Sequence, residues 1–271
     1  MAAPVFRENV VVLTGASAGI GRELARQLAA QGAWLVLAAR DVEKLNEVAE
    51  ECRAAGGRAV VVPTDVGDEA QCRALMERAV AEYGRIDTLV NNAGIGMWAR
   101  FDQVTDLSIY ERIMRINYLG SVYCTSYALP HLKRTRGRIV AIGSLTARTG
   151  VPTRSGYAAS KHAMAGFFDS IRIELEDDGV TVTQIHPGFV ATEIRERAFG
   201  ADGRPLGAGN SPVREKEVMS PEECARITID AMAKRRREVI MTPRAKFGMW
   251  LKLISPAAVD RIAKRAIEHG K

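Results

Sequence analysis

Short runs of apolar residues alternate along the chain with longer stretches whose apolar positions recur at helical spacing. "NVVVLTG" at 9–15, "AWLVLAAR" at 33–40, "RAVVVPTD" at 58–65 and "IDTLVNNAG" at 86–94 are apolar on both faces of an extended chain. So are "RIVAIGS" at 138–144 and "VTVTQIHPG" at 180–188, and "EVIMTP" at 238–243 is a seventh candidate. Strands buried on both faces, separated by amphipathic helices, indicate βαβ units in a parallel sheet. The reading is an α/β, doubly wound, parallel seven-stranded sheet of Rossmann type with helices on both faces. Predicted helices include 19–31, 41–57, 68–84 and a long one over about 107–133. The catalytic domain is expected to span 1–243, with an irregular lid at about 192–220 and a basic amphipathic extension at 244–271.

The chain has 271 residues and is 47% hydrophobic, enough for one large core. It contains no run of 18 apolar residues, and its N-terminus lacks the pattern of a secretory signal. Four widely spaced cysteines without a CxxC pair, and four histidines without ligand spacing, predict reduced thiols, no metal site and a cytoplasmic setting. The net charge is +6, of which +5 falls in residues 244–271. The body is therefore near neutral, which argues against nucleic-acid binding and singles out the tail.

Three groups of residues carry candidate chemistry. "TGASAGIG", from Thr14 to Gly21, closes the first strand and opens the first helix, the context of a phosphate-binding turn. Gly15 allows the turn, Gly19 lets backbone approach a pyrophosphate and Gly21 lets helix pack on strand. Second, the tips of the next three strands supply Arg40, Asp65 and the Asn91–Gly94 run. A carboxylate at the position of Ala39 would suit NAD, whereas Arg40 suits the 2′-phosphate of NADP. Asp41 reads as a helix N-cap. Asp65 either accepts from an adenine amine or caps the following helix, and Asn91 is in part a tie between strands.

Third, "SGYAASKHAMAGF" places Tyr157 and Lys161 at i and i+4 on one helix face, with small residues between them. An ammonium nearby stabilises a phenolate. Ser144 lies thirteen residues earlier at a strand end, where its hydroxyl could donate to a substrate oxygen.

These motifs, together with Asn117 in "RINYLG" and "PG" at Pro187–Gly188 followed by Thr192, stand in the order and spacing of the short-chain dehydrogenase/reductase family. The resemblance covers residues 9 to about 192. It is closest in pattern to the subgroup that resembles steroid and lipid carbonyl reductases. It implies that Tyr157 is a general acid/base, that Lys161 tunes it and holds the nicotinamide ribose, that Ser144 positions the carbonyl and that Asn117 supports a proton-carrying water. It further implies a cofactor, NADP with NAD as the alternative, held by Gly15, Ser17, Ala18, Gly19, Ile20, Gly21, Arg40, Asp65, Val66, Asn92, Ala93, Gly94, Tyr157, Lys161, Pro187, Gly188, Val190 and Thr192.

The function expected is hydride transfer between nicotinamide and a carbonyl or secondary alcohol. The alternative is a non-catalytic, redox-sensing nucleotide binder on the same fold. Met97, Trp98, Leu145, Thr146, Phe189, Ile194 and Phe199 are candidate walls of a lipophilic pocket. A homodimer or homotetramer, formed through the 107–133 and 157–176 helices, is implied by the resemblance. In the tail, Phe247, Trp250, Leu251 and Ile254 form one stripe and Val259, Ile262, Ala263, Ala266 and Ile267 a second. Those stripes either pack on the protein or make a peripheral contact with a membrane surface.

Overall fold

The computed structural model describes residues 5–207 and 218–268. Seven strands are present there: β1 Val10–Thr14, β2 Trp34–Ala39, β3 Arg58–Pro63, β4 Thr88–Asn91, β5 Arg138–Ile142, β6 Thr181–His186 and β7 Glu238–Ile240. Every pairing is parallel, in the order β3-β2-β1-β4-β5-β6-β7. After β3 the chain crosses back to lay β4 beside β1, so the strand order reverses between β1 and β4. In open α/β sheets the carboxyl edge at such a reversal is where ligands bind.

Alternation along the strands divides the core into two layers. Val11, Leu13, Leu35, Leu37, Val140 and Ile185 face α1 Gly19–Ala29, α2 Val42–Ala54 and α7 Pro221–Ala233. Val12, Val36, Leu89, Ile139 and Val182 face α3 Glu69–Tyr83, α5 Gly120–Thr135 and α6 Ser155–Glu174. The helix starts are chemically marked. Asp41 accepts from Lys44 N at 3.1 Å to cap α2, as expected, and Ser220 caps α7 just ahead of Pro221. The cap of α3 is Asp68, not Asp65. All four cysteines are buried free thiols.

The predicted helix over 107–133 is not one α-helix. It comprises α4 Ser108–Met114, a π-helical turn Arg115–Leu119 and then α5. An inserted residue of this kind widens one turn without ending the helical path, and it carries the wholly buried Asn117. Beyond β7 the chain forms α8 Pro243–Ile254 and α9 Pro256–Glu268, each opened by a proline in its first turn. Among the described residues no helix is long and apolar enough to cross a membrane.

Candidate active site

A cavity of about 1000 Å³ opens along the carboxyl edge of the sheet. At one end it is lined by the turn after β1. Gly15 and Gly19 both have positive φ, at 65° and 54°. A methyl group on Gly15 would meet Ala93 Cα at 2.8 Å, and one on Gly19 would meet Thr192 Cγ2 at 2.8 Å. Glycine is therefore required on both sides of the turn. The N-cap residue of α1, Ala18, supplies no side-chain cap, and the first turn lies at the cavity edge with Ser17, Ala18 and Ile20. An uncapped helix start behind a glycine turn is a fitting cradle for a pyrophosphate.

Gly21 does not line the cavity. A methyl group there would run into the Gly15 carbonyl oxygen, so Gly21 sets the packing of α1 on the turn. Asn92 lines the cavity, but its amide is already engaged. It donates to Thr14 O at 2.9 Å and Gly15 O at 3.0 Å and so braces the glycine turn from behind. Asn91 is buried and donates to Thr125 Oγ1 at 3.1 Å, tying β4 to α5.

The tips of the neighbouring strands complete this end. Arg40 is exposed immediately after β2 and lines the cavity. Asp65 and Val66 follow β3, with Asp65 accepting from Gly67 N at 2.9 Å. Ala93 and Gly94 follow β4, and Pro187, Gly188, Val190 and Thr192 follow β6.

The floor is formed by β5 and α6. Ser144 lies just past β5, where its hydroxyl accepts from Thr146 N at 3.2 Å and lines the cavity beside Tyr157. Lys161 is buried one turn after Tyr157 and donates to Ile142 O at 2.9 Å, its ammonium 5.9 Å from the Tyr157 ring centre. Asn117 lies behind this pair and does not line the cavity. Its Oδ1 accepts from Ile95 N at 2.8 Å, and its Nδ2 donates to Ile95 O at 3.0 Å and Ser160 Oγ at 2.9 Å. The π-helical turn thereby ties the chain after β4 to α6, three residues beyond Tyr157.

The model of the short chain dehydrogenase family matches residues 9–202. This chain belongs to the short-chain dehydrogenase family. It is 36% identical over 261 residues to 11-beta-hydroxysteroid dehydrogenase A of Sesamum indicum, covering 93% of this chain and 73% of that one. It is 35% identical over 273 residues to dehydrogenase/reductase SDR family member 7B of Mus musculus, covering 98% and 84%. A short-chain dehydrogenase/reductase of Burkholderia phymatum, solved in complex with NAD, superposes with a TM-score of 0.83 at 26% identity, over 95% of this chain and 96% of that one. An alcohol dehydrogenase of Thermococcus sibiricus, solved with 5-hydroxy-NADP, superposes with a TM-score of 0.73 at 26% identity, over 86% and 95%. The protein is accordingly an NAD(P)-dependent oxidoreductase.

Electrostatics at the floor of this short-chain dehydrogenase differ from the expectation built on Tyr157 and Lys161 alone. Burial raises the Tyr157 pKa, and the opposing pulls come from the Arg154 guanidinium and the Ser144 hydroxyl. Burial also pushes Lys161 down to about 8. Arg154 escaped the sequence reading, although it stands three residues before Tyr157 in "TRSGY". It stacks on Trp98 at 4.0 Å and lies 6.0 Å from the Tyr157 ring centre.

Several expected pocket walls are placed elsewhere. Leu145, Thr146, Phe189 and Ile194 do line the cavity. Met97 and Phe199 are instead buried together with Ile109, Ile113 and the Tyr157 ring in a small core of their own. Trp98 serves as the platform under Arg154. The anticipated lid is pinned where it is described: Phe199 O accepts from Trp98 N at 2.9 Å, Ala201 O from Thr105 N at 2.9 Å, and Phe199 carries the Arg112 guanidinium at 4.1 Å. Positions 208–217 of that segment lie outside the described residues. The far wall is the tail, through Ala245, Gly248, Met249, Val259, Ile262 and Ala263.

Proposed function

We propose that this oxidoreductase uses NADPH to reduce the carbonyl group of a lipophilic substrate, with Tyr157 as the proton donor. The observation that carries this reading is the buried Tyr157, beside Ser144 in a cavity whose other end is the glycine turn that opens α1. The bound nicotinamide supplies the hydride. Ser144 and Tyr157 converge on the position of the substrate oxygen and hold it by two hydroxyl groups. Tyr157 delivers the proton to that oxygen as charge develops on it. Lys161, held by Ile142 O, keeps a positive charge beside the tyrosinate left behind. Asn117 and Ser160 fix α6 and so the position of Tyr157.

Arg40 supports the NADP preference. It is exposed at the cavity edge, whereas the adjacent Asp41 carboxylate is occupied in capping α2. A charge-assisted bond to a phosphate contributes about 1.5–3 kcal/mol, a roughly 10- to 150-fold preference. The test is kcat/KM for NADPH and NADH with a panel of apolar ketones and aldehydes, in the wild type and Arg40→Ala. The proposal expects NADPH to win in the wild type and to lose most of that advantage in the variant. Equal constants in the wild type would remove the NADP assignment, and no turnover with either cofactor would leave the redox-sensing binder as the better reading.

The tail favours delivery from a lipid surface by a cytoplasmic enzyme. Phe247, Trp250, Leu253 and Ile254 of α8 are all more than 60% exposed, on the face opposite the cavity. Of the first predicted stripe, Phe247, Trp250 and Ile254 are thus turned outward, whereas Leu251 is half-buried. The solvent-facing sides of α5 and α6 are proposed as the contacts of a homodimer or homotetramer, which light scattering at micromolar concentration checks.

A further inference from the structure

Beyond Tyr157 the cavity holds a feature that carbonyl reduction does not require. The Arg154 guanidinium is packed among three aromatic rings: Trp98 at 4.0 Å, Phe189 at 5.4 Å and Tyr157 at 6.0 Å. Its Nε is buried and has no hydrogen-bond partner. Among the described residues no carboxylate pairs with it. Arg195 approaches the same Phe189 ring, at 5.6 Å, and donates to Val190 O at 3.3 Å. The two guanidinium groups repel each other across that ring, and burial pushes Arg154 down to about 10.

The acidic side chains that line the cavity, among the described residues, do not answer the charge of Arg154. Asp41 caps α2, Asp65 accepts from Gly67 N, and Glu193 is shared by Lys44 and Arg197. Stacking alone is a poor explanation of the arrangement. A guanidinium on a ring at the surface keeps its remaining donors in water, whereas Arg154 is half-buried beside the reaction centre with a donor unmet. A desolvated charge is costly unless an opposite charge or acceptors meet it.

We propose that Arg154 and Arg195 form an anion subsite beside Phe189, which takes a carboxylate borne by the substrate close to the carbonyl being reduced. The proposal rests on the reading of Tyr157 as the proton donor and narrows its substrate class. The substrate is then an oxo acid with an apolar body. The apolar part lies along Leu145, Ile194 and Met249, and the carboxylate accepts from the guanidinium donors. Arginine suits this task because its planar fork meets a carboxylate with two parallel bonds.

The test pairs 2-oxo-4-phenylbutanoate with its ethyl ester as substrates, and unreactive 4-phenylbutanoate with its ethyl ester as binding probes in the presence of NADPH. The wild type is expected to prefer the acid in kcat/KM, and to gain more thermal stability from the unreactive acid than from its ester. Arg154→Gln is expected to cut the acid-to-ester ratio by roughly 10- to 150-fold, whatever it does to either rate alone, and to erase the difference in thermal shift. Arg154→Lys should restore part of both, and Arg195→Gln reads the same ratio if Arg154→Gln does not fold. A wild type that treats acid and ester alike in the thermal shift, or an Arg154→Gln protein that keeps the acid preference, would overturn the subsite. Failure of every carbonyl to turn over would count against the proposed reaction, while the binding probes would still decide the subsite.

Discussion

Lys161→Met in the cofactor-free protein isolates the cost of burying the cation beside Tyr157. Lys161 is 3% exposed, and burial moves its pKa from the ordinary 10.5 to about 8. Two and a half units correspond to about 3 kcal/mol of differential interaction between the two protonation states. The sign follows from proton counting. Between the folded and unfolded values the unfolded chain binds more protons than the native one, so stability rises with pH across that window. Below about pH 8 the lysine is charged in both states and the whole penalty is present. Above about 10.5 it is neutral in both and the penalty is gone.

Methionine keeps the length and removes the charge, but leaves Ile142 O without its donor, which costs about 1–3 kcal/mol at any pH. The absolute difference between wild type and variant is therefore small near pH 7. Its change with pH carries the signal. Urea denaturation of both proteins near pH 7 and near pH 9.5 should show the wild type gaining about 2 kcal/mol on the variant. Other groups that titrate in this range do so in both proteins and cancel. A difference that stays flat between the two pH values, or that moves the other way, would refute the claim that Lys161 is a desolvated cation.

Gly21→Ala places a methyl group against the Gly15 carbonyl oxygen, and overpacking of this kind typically costs about 1–3 kcal/mol. The midpoint of urea denaturation should fall, and NADPH affinity should fall with it because the turn moves. At the tail, Trp250→Glu with Leu253→Glu should abolish co-sedimentation with vesicles containing phosphatidylserine at low salt. Wild-type binding should weaken as salt rises, since each basic residue near an anionic surface contributes about 1 kcal/mol and salt screens that attraction. If the wild type ignores these vesicles and the variant instead shifts the oligomer mass, the exposed face of α8 joins a second copy of the chain.

The seven-stranded sheet was legible because its inner strands are buried on both faces, so Val10–Leu13, Leu35–Leu37 and Ile139–Ile142 read as unbroken apolar runs. The glycine turn, Ser144, Tyr157 and Lys161 stood out in the sequence by motif and spacing, and the structure brings them to one cavity. The π-helical turn at Arg115–Leu119 was not legible, because one inserted residue barely disturbs helical periodicity. Nor does an apolar residue announce whether its neighbour is a ligand or the core, and Met97 and Phe199 took the second role. The tail stripe was found, but the direction it faces depends on where α8 meets the body. Arg154 passed unread because an arginine before a helix is ordinary until its surroundings, among the described residues, show no acid.

The central claim is that the Tyr157 hydroxyl is the proton donor of this enzyme, and Tyr157→Phe tests it most directly. The substitution removes one oxygen from a ring buried in the same small core as Met97 and Ile113, so the fold and the cofactor cradle stay in place. NADPH binding, followed by quenching of protein fluorescence, should remain near the wild-type affinity. With a ketone that the wild type reduces, kcat should fall by about 10²–10⁴-fold, the usual contribution of general acid catalysis. A Tyr157→Phe protein that binds NADPH normally and keeps more than about a tenth of the wild-type kcat would contradict the account.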